Sequence, residues 1–328
     1  MRRVVFILAV FAAAGILGGC TSPHGQPTSA PEKIDVATSV YPIYYFTSRI
    51  AADCAEVTII APPTSEPHHW EPSPKQIAEL QSSDAFIYNG AGLEVWAERV
   101  ADSIGETGVQ VLETASLVPE VLLLEAGSHS HGAQANGNNK TSLAAETADR
   151  NHHAGIDPHF WLDPILAENI ARGIKELLVT LDPGNAGVYN QNFSLLKGEL
   201  ADLHREFEQA FKECSGRKFV VTHEGFGYMA RRYGLEQIPI MGPSADSEPS
   251  PARLAELSTL MRRHHIRYVF TEPLVSPKAA EVLASEVGAG LLVLHTAGYL
   301  TENDVKEGLD YLSIMRNNMK QLKVALAQ

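Results

Sequence analysis

The sequence predicts an α/β protein in which two lobes, each built on a parallel sheet, are joined by one long helix. Short β-rich runs alternate with helical segments in two separate sets, as parallel α/β units do. A single long apolar stripe with helical spacing separates the two sets. Because ligands of open parallel sheets bind beyond the carboxyl ends of the strands, we expect a site in the cleft between the lobes.

The chain opens with two arginines, an apolar run from Val4 to Leu17, and small residues that end at Cys20. The run is too short to span a membrane, so residues 1–19 are predicted to be a secretory signal. The LGGC ending resembles the lipobox of bacterial lipoproteins, which implies a lipid on Cys20 that anchors an extracytoplasmic or periplasmic protein to the membrane. The alternative is a plain signal peptide with an incidental cysteine.

The chain is acidic, with 26 basic and 39 acidic residues and a net charge of −13. Cleavage after residue 19 removes two arginines and no acid, which changes that charge to −15. An acidic surface argues against nucleic acid as a partner and favours cations. Apart from Cys20, the only cysteines are Cys54 and Cys214. In an oxidising compartment they form a possible disulfide, and two unpaired thiols are the alternative.

The two lobes follow a polar, Pro-rich spacer at residues 20–33. The N-terminal lobe, residues 34–181, has predicted strands at 35–40, 56–60, 85–88 and 109–112 and predicted helices at 43–52, 74–81, 93–104 and 164–181. The C-terminal lobe, residues 215–328, has predicted strands at 218–222, 237–240, 268–271 and 291–294 and predicted helices at 226–233, 251–264, 277–287 and 301–327. Residues 125–155 are rich in Gly, Asn, Ala and His, which predicts a mobile loop.

The linking segment, residues 182–214, contains the long helix. From 186 to 214 apolar residues recur at steps of three and four, at Tyr189, Phe193, Leu196, Leu200, Leu203, Phe207 and Phe211. A helix of this length is a rod of about 40 Å, which suits a connection between two domains better than the interior of one.

Four histidines occupy comparable places in the two lobes. His68 lies in the stretch SEPHHWEPSP, whose prolines stiffen the loop after a strand, and His159 lies in DPHFWLDP, just before a helix. His223 and His295 each directly follow a strand of the second lobe. A lone histidine is usually a surface or core residue, but four at such positions predict a metal site. A nitrogen-rich set favours tetrahedral Zn²⁺, although Cu²⁺ and Ni²⁺ also accept it, whereas oxygen ligands suit Mn²⁺.

Several longer stretches resemble a known family. SEPHHWEPSP, YNGAGLEVW, DPHFWLDP, FVVTHEGFGYMARRYGL, EPSPARLAEL and FTEPLVSPKAAEVLASEVGA are similar, in this order, to segments of the solute-binding lipoproteins of bacterial zinc and manganese ABC importers, the ZnuA and AdcA type. The likeness covers nearly all of the chain after the spacer. It implies two α/β lobes around a rigid helix, with the metal between them.

The resemblance implies a ligand set. His68 rather than His69 corresponds to the first ligand, and His159 and His223 correspond to the next two. Manganese members tend to carry glutamate at the third position, so His223 implies zinc. The family's fourth position is usually acidic, whereas LHTAGYL offers His295; Glu272 or a water are the alternatives. Zinc members often carry a histidine-rich insertion, and at that place this chain has His129, His131, His152 and His153. These histidines either collect zinc weakly or are chance residues of a linker.

The function that the resemblance implies is a non-enzymatic zinc receptor. It would be an extracytoplasmic, lipid-anchored monomer that delivers Zn²⁺ to an ABC permease and its ATPase. One alternative is a zinc hydrolase with Glu224, beside His223, as its base. The other is a surface adhesin in which the metal is structural.

Overall fold

The structure is a computed structural model that describes residues 33–126, 155–242 and 248–327. Residues 33–328 form one compact unit. The predicted signal, Cys20, most of the predicted mobile loop and its four histidines lie outside the described residues. Within the described ranges, no helix combines the length and the apolar character that crossing a membrane requires.

The structure confirms two parallel four-stranded sheets. The first contains β1 (Ile34–Thr38), β2 (Ala55–Ile59), β3 (Ala85–Tyr88) and β4 (Gln110–Glu113) in the order β2-β1-β3-β4. The second contains β5 (Lys218–Val221), β6 (Glu236–Pro239), β7 (Tyr268–Thr271) and β8 (Gly290–Val293) in the order β6-β5-β7-β8. Because the strand order reverses between β1 and β3 and between β5 and β7, each lobe has a crevice at that point.

Among its described residues, the N-terminal lobe has four α-helices, two of which begin at a residue whose side chain caps the helix. They are α1 (Tyr41–Ala51), α2 (Pro74–Leu80), α3 (Val95–Gly105) and α4 (Pro164–Leu181). Ser73 and Gln76 form a reciprocal capping box at α2, and Asp163 accepts from the amide of Ile165 at the start of α4. The capping residue of α4 therefore fixes the end of the segment that carries His159.

The predicted linking helix is present as α5 (Ala186–Phe211). The predicted stripe is its buried face, except that Phe193 is only partly buried. This helix packs against α1 and α4 of the first lobe and α10 of the second, α10 being Tyr311–Leu326. One apolar core runs through both lobes, since it includes Val36 of β1 and Phe219 of β5.

The C-terminal lobe carries α6 (Gly227–Arg232), α7 (Pro251–Arg263), α8 (Lys278–Val287), α9 (Glu302–Glu307) and α10. The prediction of one closing helix over 301–327 was wrong, because the chain breaks between α9 and α10. Gly308 takes a left-handed conformation with φ 67° that ends α9, and Asp310 and Ser313 form a capping box that starts α10. Apolar periodicity alone did not reveal this break.

The possible disulfide is not formed, and both cysteines are free thiols. Cys54 lies four residues beyond Ile50, whose carbonyl accepts from Asn192 near the start of α5. Cys214 lies three residues beyond the other end of this helix. The 19 positions from Asn192 to Phe211 span about 28 Å of helix. Since a disulfide needs Cα atoms within about 7 Å, the fold keeps the two sulfurs apart.

Candidate metal centre

Three of the predicted histidines meet between the lobes. His68 follows β2, His159 precedes α4, and His223 follows β5. The Nε2 atom of His159 lies 3.3 Å from Nε2 of His68 and 3.5 Å from Nε2 of His223. Among the described residues, these three form the one group of potential metal ligands whose donor atoms all lie within 4.8 Å of one another. The fold thus gathers side chains that are far apart in the sequence.

The spacing of these nitrogens fits zinc. Two nitrogens bound at 2.0–2.1 Å to a tetrahedral zinc lie about 3.3–3.4 Å apart, close to both observed separations. The cavity beside the rings has a volume of about 10 Å³, room for one water-sized particle. The site therefore has room for a single ion beside the rings.

The ring of His223 is held by a buried carboxylate. Its Nδ1 lies 2.6 Å from Oε1 of Glu272, which also accepts a hydrogen bond from the hydroxyl of Thr222. Glu272 directly follows β7, so this contact crosses the crevice of the C-terminal lobe. Burial lowers the pKa of His223, but its attraction to Glu272 outweighs burial and leaves the pKa raised. In Glu272, burial raises the pKa, but His223 and Thr222 outweigh it and leave that pKa lowered.

The ring of His159 is held in the same way by a near neighbour. Its Nδ1 lies 2.8 Å from Oδ1 of Asp157, and both residues are buried. A carboxylate at Nδ1 places the hydrogen on that nitrogen, which leaves a lone pair on Nε2. When both rings are neutral with the hydrogen on Nδ1, the two Nε2 atoms each present a lone pair 3.5 Å apart, an arrangement that a cation between them stabilises.

The ring of His68 is held differently, because its loop supplies the constraint. The loop is tied to the C-terminal lobe where the amide of Leu300 donates to the carbonyl of Pro63 at 2.7 Å. It is tied to α2 where Gln76 donates from Nε2 to the carbonyl of Ile60 at 3.1 Å. Burial, followed by the neighbouring His159 and His223 rings, lowers the pKa of His68 to about 2. The imidazole is therefore neutral and able to bind a metal.

A second buried network lies at the crevice of the N-terminal lobe, and no sequence motif predicts its role. Glu94 accepts hydrogen bonds from the hydroxyl of Ser39 and from the amides of Asn89 and Gly90, at 3.0 and 3.2 Å. Asn89 in turn donates from Nδ2 to the carbonyl of Pro158 at 3.1 Å. The network thus holds the residue that precedes His159. Burial raises the pKa of Glu94 to about 7, against the opposing effect of these hydrogen bonds.

His295 does not join the three histidines. Its Nδ1 accepts from the amide of Ala297 at 2.9 Å, and its Nε2 lies 3.3 Å from Oδ2 of Asp304. The contact with His295 is the main reason that the pKa of Asp304 falls to about 2. Glu272, the alternative fourth ligand, is engaged by His223 and also lies outside the group.

The structure offers a different carboxylate that the sequence reasoning missed. Glu66 lies two residues before His68, and its side chain lines the cavity together with the three ligand candidates. Its Oε2 is buried and has no hydrogen-bond partner among the described residues, with Nε2 of His69 at 3.7 Å. Its place in the proline-stiffened loop was the available signal. Glu224, the base that a hydrolase would need, is buried and is not among the described residues that line the cavity.

Comparisons with known proteins agree with this geometry. The family described as zinc-uptake complex component A periplasmic, ZnuA, matches residues 36–325. The high-affinity zinc uptake system protein ZnuA of Bacillus subtilis is 35% identical over 98% of this chain and 97% of its own length. A crystal structure of Zn(II)-bound AdcA from Streptococcus pneumoniae has a TM-score of 0.74 and 31% identity, covering 90% of this chain and 58% of that one.

A third similar structure is the laminin binding protein Lmb of Streptococcus agalactiae, described as bifunctional, with adhesin and metal transporting activity. Its TM-score is 0.74 at 29% identity, and the match covers 89% of this chain and 99% of that one. The family match spans both lobes and includes all three clustered histidines. The chain belongs to the ZnuA family of periplasmic zinc-uptake components.

Proposed function

We propose that this chain is a zinc receptor of an ABC importer and that it binds Zn²⁺ as cargo through Nε2 of His68, His159 and His223. The observation that carries the proposal is the spacing of those nitrogens, 3.3 and 3.5 Å, which matches tetrahedral zinc. The zinc uptake protein of Bacillus subtilis and the Zn(II)-bound structure of AdcA support the choice of metal.

Each group around the ion has a distinct task in this proposal. Asp157 and Glu272 fix the rings of His159 and His223, so that both Nε2 atoms point into the cavity. The loop of His68 completes the site. Glu66 supplies the fourth donor in place of the predicted His295, because its buried Oε2 lines the same cavity. Transfer of the ion requires that at least one donor withdraw.

The chain acts outside the cytoplasm, as the description of its family states. In the finer proposal, a lipid on Cys20 holds a monomer at the membrane, where it delivers zinc to a permease driven by an ATPase. The histidines His129, His131, His152 and His153 collect zinc weakly before it reaches the cleft. The family consists of transport receptors, and the position of Glu224 away from the cavity lining further disfavours a hydrolase.

Zinc titration of the purified protein tests the ligand set. Replacing His159 by Ala should lower zinc affinity by more than about 100-fold, beyond the 10–100-fold typical of residues that only support a ligand. His204→Ala is the control, because His204 lies on α5 next to Tyr233 and outside the group of ligands, and it should leave affinity nearly unchanged. Equal losses in both variants would show that removing any histidine, rather than a member of the ligand set, weakens binding.

Adhesion is the second candidate function, supported by the likeness to Lmb. Growth of cells that lack the protein distinguishes the zinc-transport function from adhesion. A zinc receptor is needed when external zinc is scarce and dispensable when it is plentiful. A growth defect that zinc supplementation does not relieve would argue against the transport role.

A further inference from the structure

A basic pocket lies on the C-terminal lobe, where α7, α10, β5 and β7 meet. It has a volume of about 480 Å³. Five side chains that carry or can accept a positive charge line it, and no acidic residue is among its lining: Arg217, Lys218, His264, His265 and Arg267. The pocket involves the amino ends of β5 and β7, whereas the zinc site lies beyond the carboxyl end of β5. It is therefore separate from the metal centre.

Part of this charge has a structural use. Arg217 donates to the carbonyl of Leu326 at the end of α10, and Lys218 pairs with Glu236 of the neighbouring strand. Arg262, just outside the pocket, donates to the carbonyl of Glu286 at 2.8 Å. Basic residues in the last turn of a helix also complement its dipole, which accounts for a preference for arginine at the end of α7.

The remaining charge lacks such a use. Arg263 and Arg267 are exposed, and neither side chain has a hydrogen bond or ion pair within the described part of the chain. The turn that joins the end of α7 to Arg267 is held by backbone hydrogen bonds. The amide of Ile266 donates to the carbonyl of Met261 at 2.9 Å, and the amide of Gly290 donates to the carbonyl of Arg267 at 2.8 Å. His265 takes the left-handed conformation with φ 54°, a position that glycine adopts more readily. A charge-bearing ring stands where turn geometry alone favours glycine.

We propose that this basic pocket binds the phosphate groups of an anionic phospholipid surface. Charge complementarity supports this assignment. A chain with a net charge of −13 is repelled by an anionic membrane, whereas this pocket presents the unpaired Arg267 and has no acid in its lining. The unpaired Arg263 lies beside it, at the end of α7. Apolar residues between the cations, including Ile266 and Tyr268, provide contacts for the glycerol portion of a lipid. Such a contact adds to the membrane attachment that the predicted lipid on Cys20 would give.

The test is co-sedimentation of residues 33–328, the compact unit without the predicted anchor, with lipid vesicles. We expect binding to vesicles containing phosphatidylglycerol, no binding to pure phosphatidylcholine, and release by added salt. Each basic side chain near an anionic surface contributes roughly a five-fold gain in partitioning. The double variant Arg263→Gln, Arg267→Gln should therefore lower binding about 25-fold.

A matched control distinguishes a local site from bulk charge. Lys75→Gln with Arg99→Gln removes the same charge from exposed positions of the N-terminal lobe and should change vesicle binding little. Both double variants should retain the zinc affinity of the parent, which shows that they fold and separates this inference from the proposed transport function. Failure of the parent to bind anionic vesicles at low salt would overturn the proposal. Equal losses in the two double variants would overturn it as well.

Discussion

The crevices of the two lobes each contain a hydroxyl bonded to a buried carboxylate, but the two carboxylates contact different groups. In each, a hydroxyl that follows the first strand donates to a buried carboxylate near the crevice: Ser39 to Glu94 in the N-terminal lobe and Thr222 to Glu272 in the C-terminal lobe. Glu272 then holds the ring of His223 directly. Glu94 instead accepts hydrogen bonds from backbone amides, including that of Asn89. The side chain of Asn89 in turn donates to the carbonyl of Pro158, the residue before His159.

The difference lies in what neutralises each carboxylate. Glu272 has an imidazole that can carry a positive charge, and its pKa is lowered. Glu94 has only neutral donors, and burial raises its pKa to about 7. Two sheets with the same strand order thus place one buried carboxylate against a candidate metal ligand and the other against neutral hydrogen-bond donors.

The largest expected effect concerns the stability of the zinc-free protein and comes from Glu94. The carboxyl of Glu94 binds its proton more tightly in the folded state than in the unfolded state, because its pKa is higher there. Its contribution to the free energy of unfolding is therefore fully present below the unfolded pKa of about 4.3 and is lost as pH rises through about 7. The loss amounts to about 3–4 kcal/mol. Glu94→Gln should remove this part of the pH dependence. Urea unfolding at pH 5 and pH 8 measures it, and parallel profiles for parent and variant would contradict the difference between the crevices.

Glu272→Gln should act on zinc affinity. The neutral amide of glutamine attracts the Nδ1 hydrogen of His223 less strongly than the carboxylate does. The ring is therefore less well oriented, and its Nε2 is a weaker electron donor to zinc. We expect zinc affinity to fall about 10–100-fold. The pH dependence of stability should also change with the opposite sign to that of Glu94, because the lowered pKa of Glu272 contributes stability that is lost as pH falls. Isothermal titration with zinc at fixed pH is the measurement.

Asn89→Ala should have a smaller effect on zinc affinity than Glu272→Gln. It removes the 3.1 Å hydrogen bond to Pro158 and leaves the ring of His159 bound to Asp157. One hydrogen bond contributes about 0.5–1.5 kcal/mol, which corresponds to a loss of affinity of roughly 2- to 10-fold. Thr114→Val is a suitable control, because Thr114 bonds the carbonyl of Asn89 and not the ligand segment. A loss as large as that of Glu272→Gln would mean that both crevices control the ligands equally.

His295→Gln should have the smallest effect on zinc affinity. The side chain contacts Ala297 and Asp304 rather than the three ligands, so affinity should stay within about two-fold of the parent. A loss beyond ten-fold would restore His295 as the fourth ligand that the sequence predicted.

Much of the fold was predictable because it depends on local patterns. Strands such as 85–88 and the stripe from Tyr189 to Phe211 follow from periodicity, and the structure confirms them. The break at Gly308 was missed because apolar spacing continues across it. Whether Cys54 and Cys214 form a disulfide was left open by the sequence, since it depends on where the two ends of α5 lie in the folded chain.

The site was predictable in its histidines and not in their surroundings. His68, His159 and His223 were identified by their motifs, and the structure brings them together. The roles of Glu66 and Asn89 depend on which buried atoms face which, and a sequence does not contain that information. His295 follows a strand as a ligand would, but Ala297 and Asp304 engage its ring.

In the proposed site, zinc binds to Nε2 of His68, His159 and His223. Anomalous diffraction at the zinc absorption edge, from crystals of zinc-loaded protein, tests it most directly. We predict one peak in the interlobe cleft, about 2.0–2.1 Å from each of these three atoms. A peak coordinated by Nε2 of His295, or one that lacks any of the three histidines, would contradict the account.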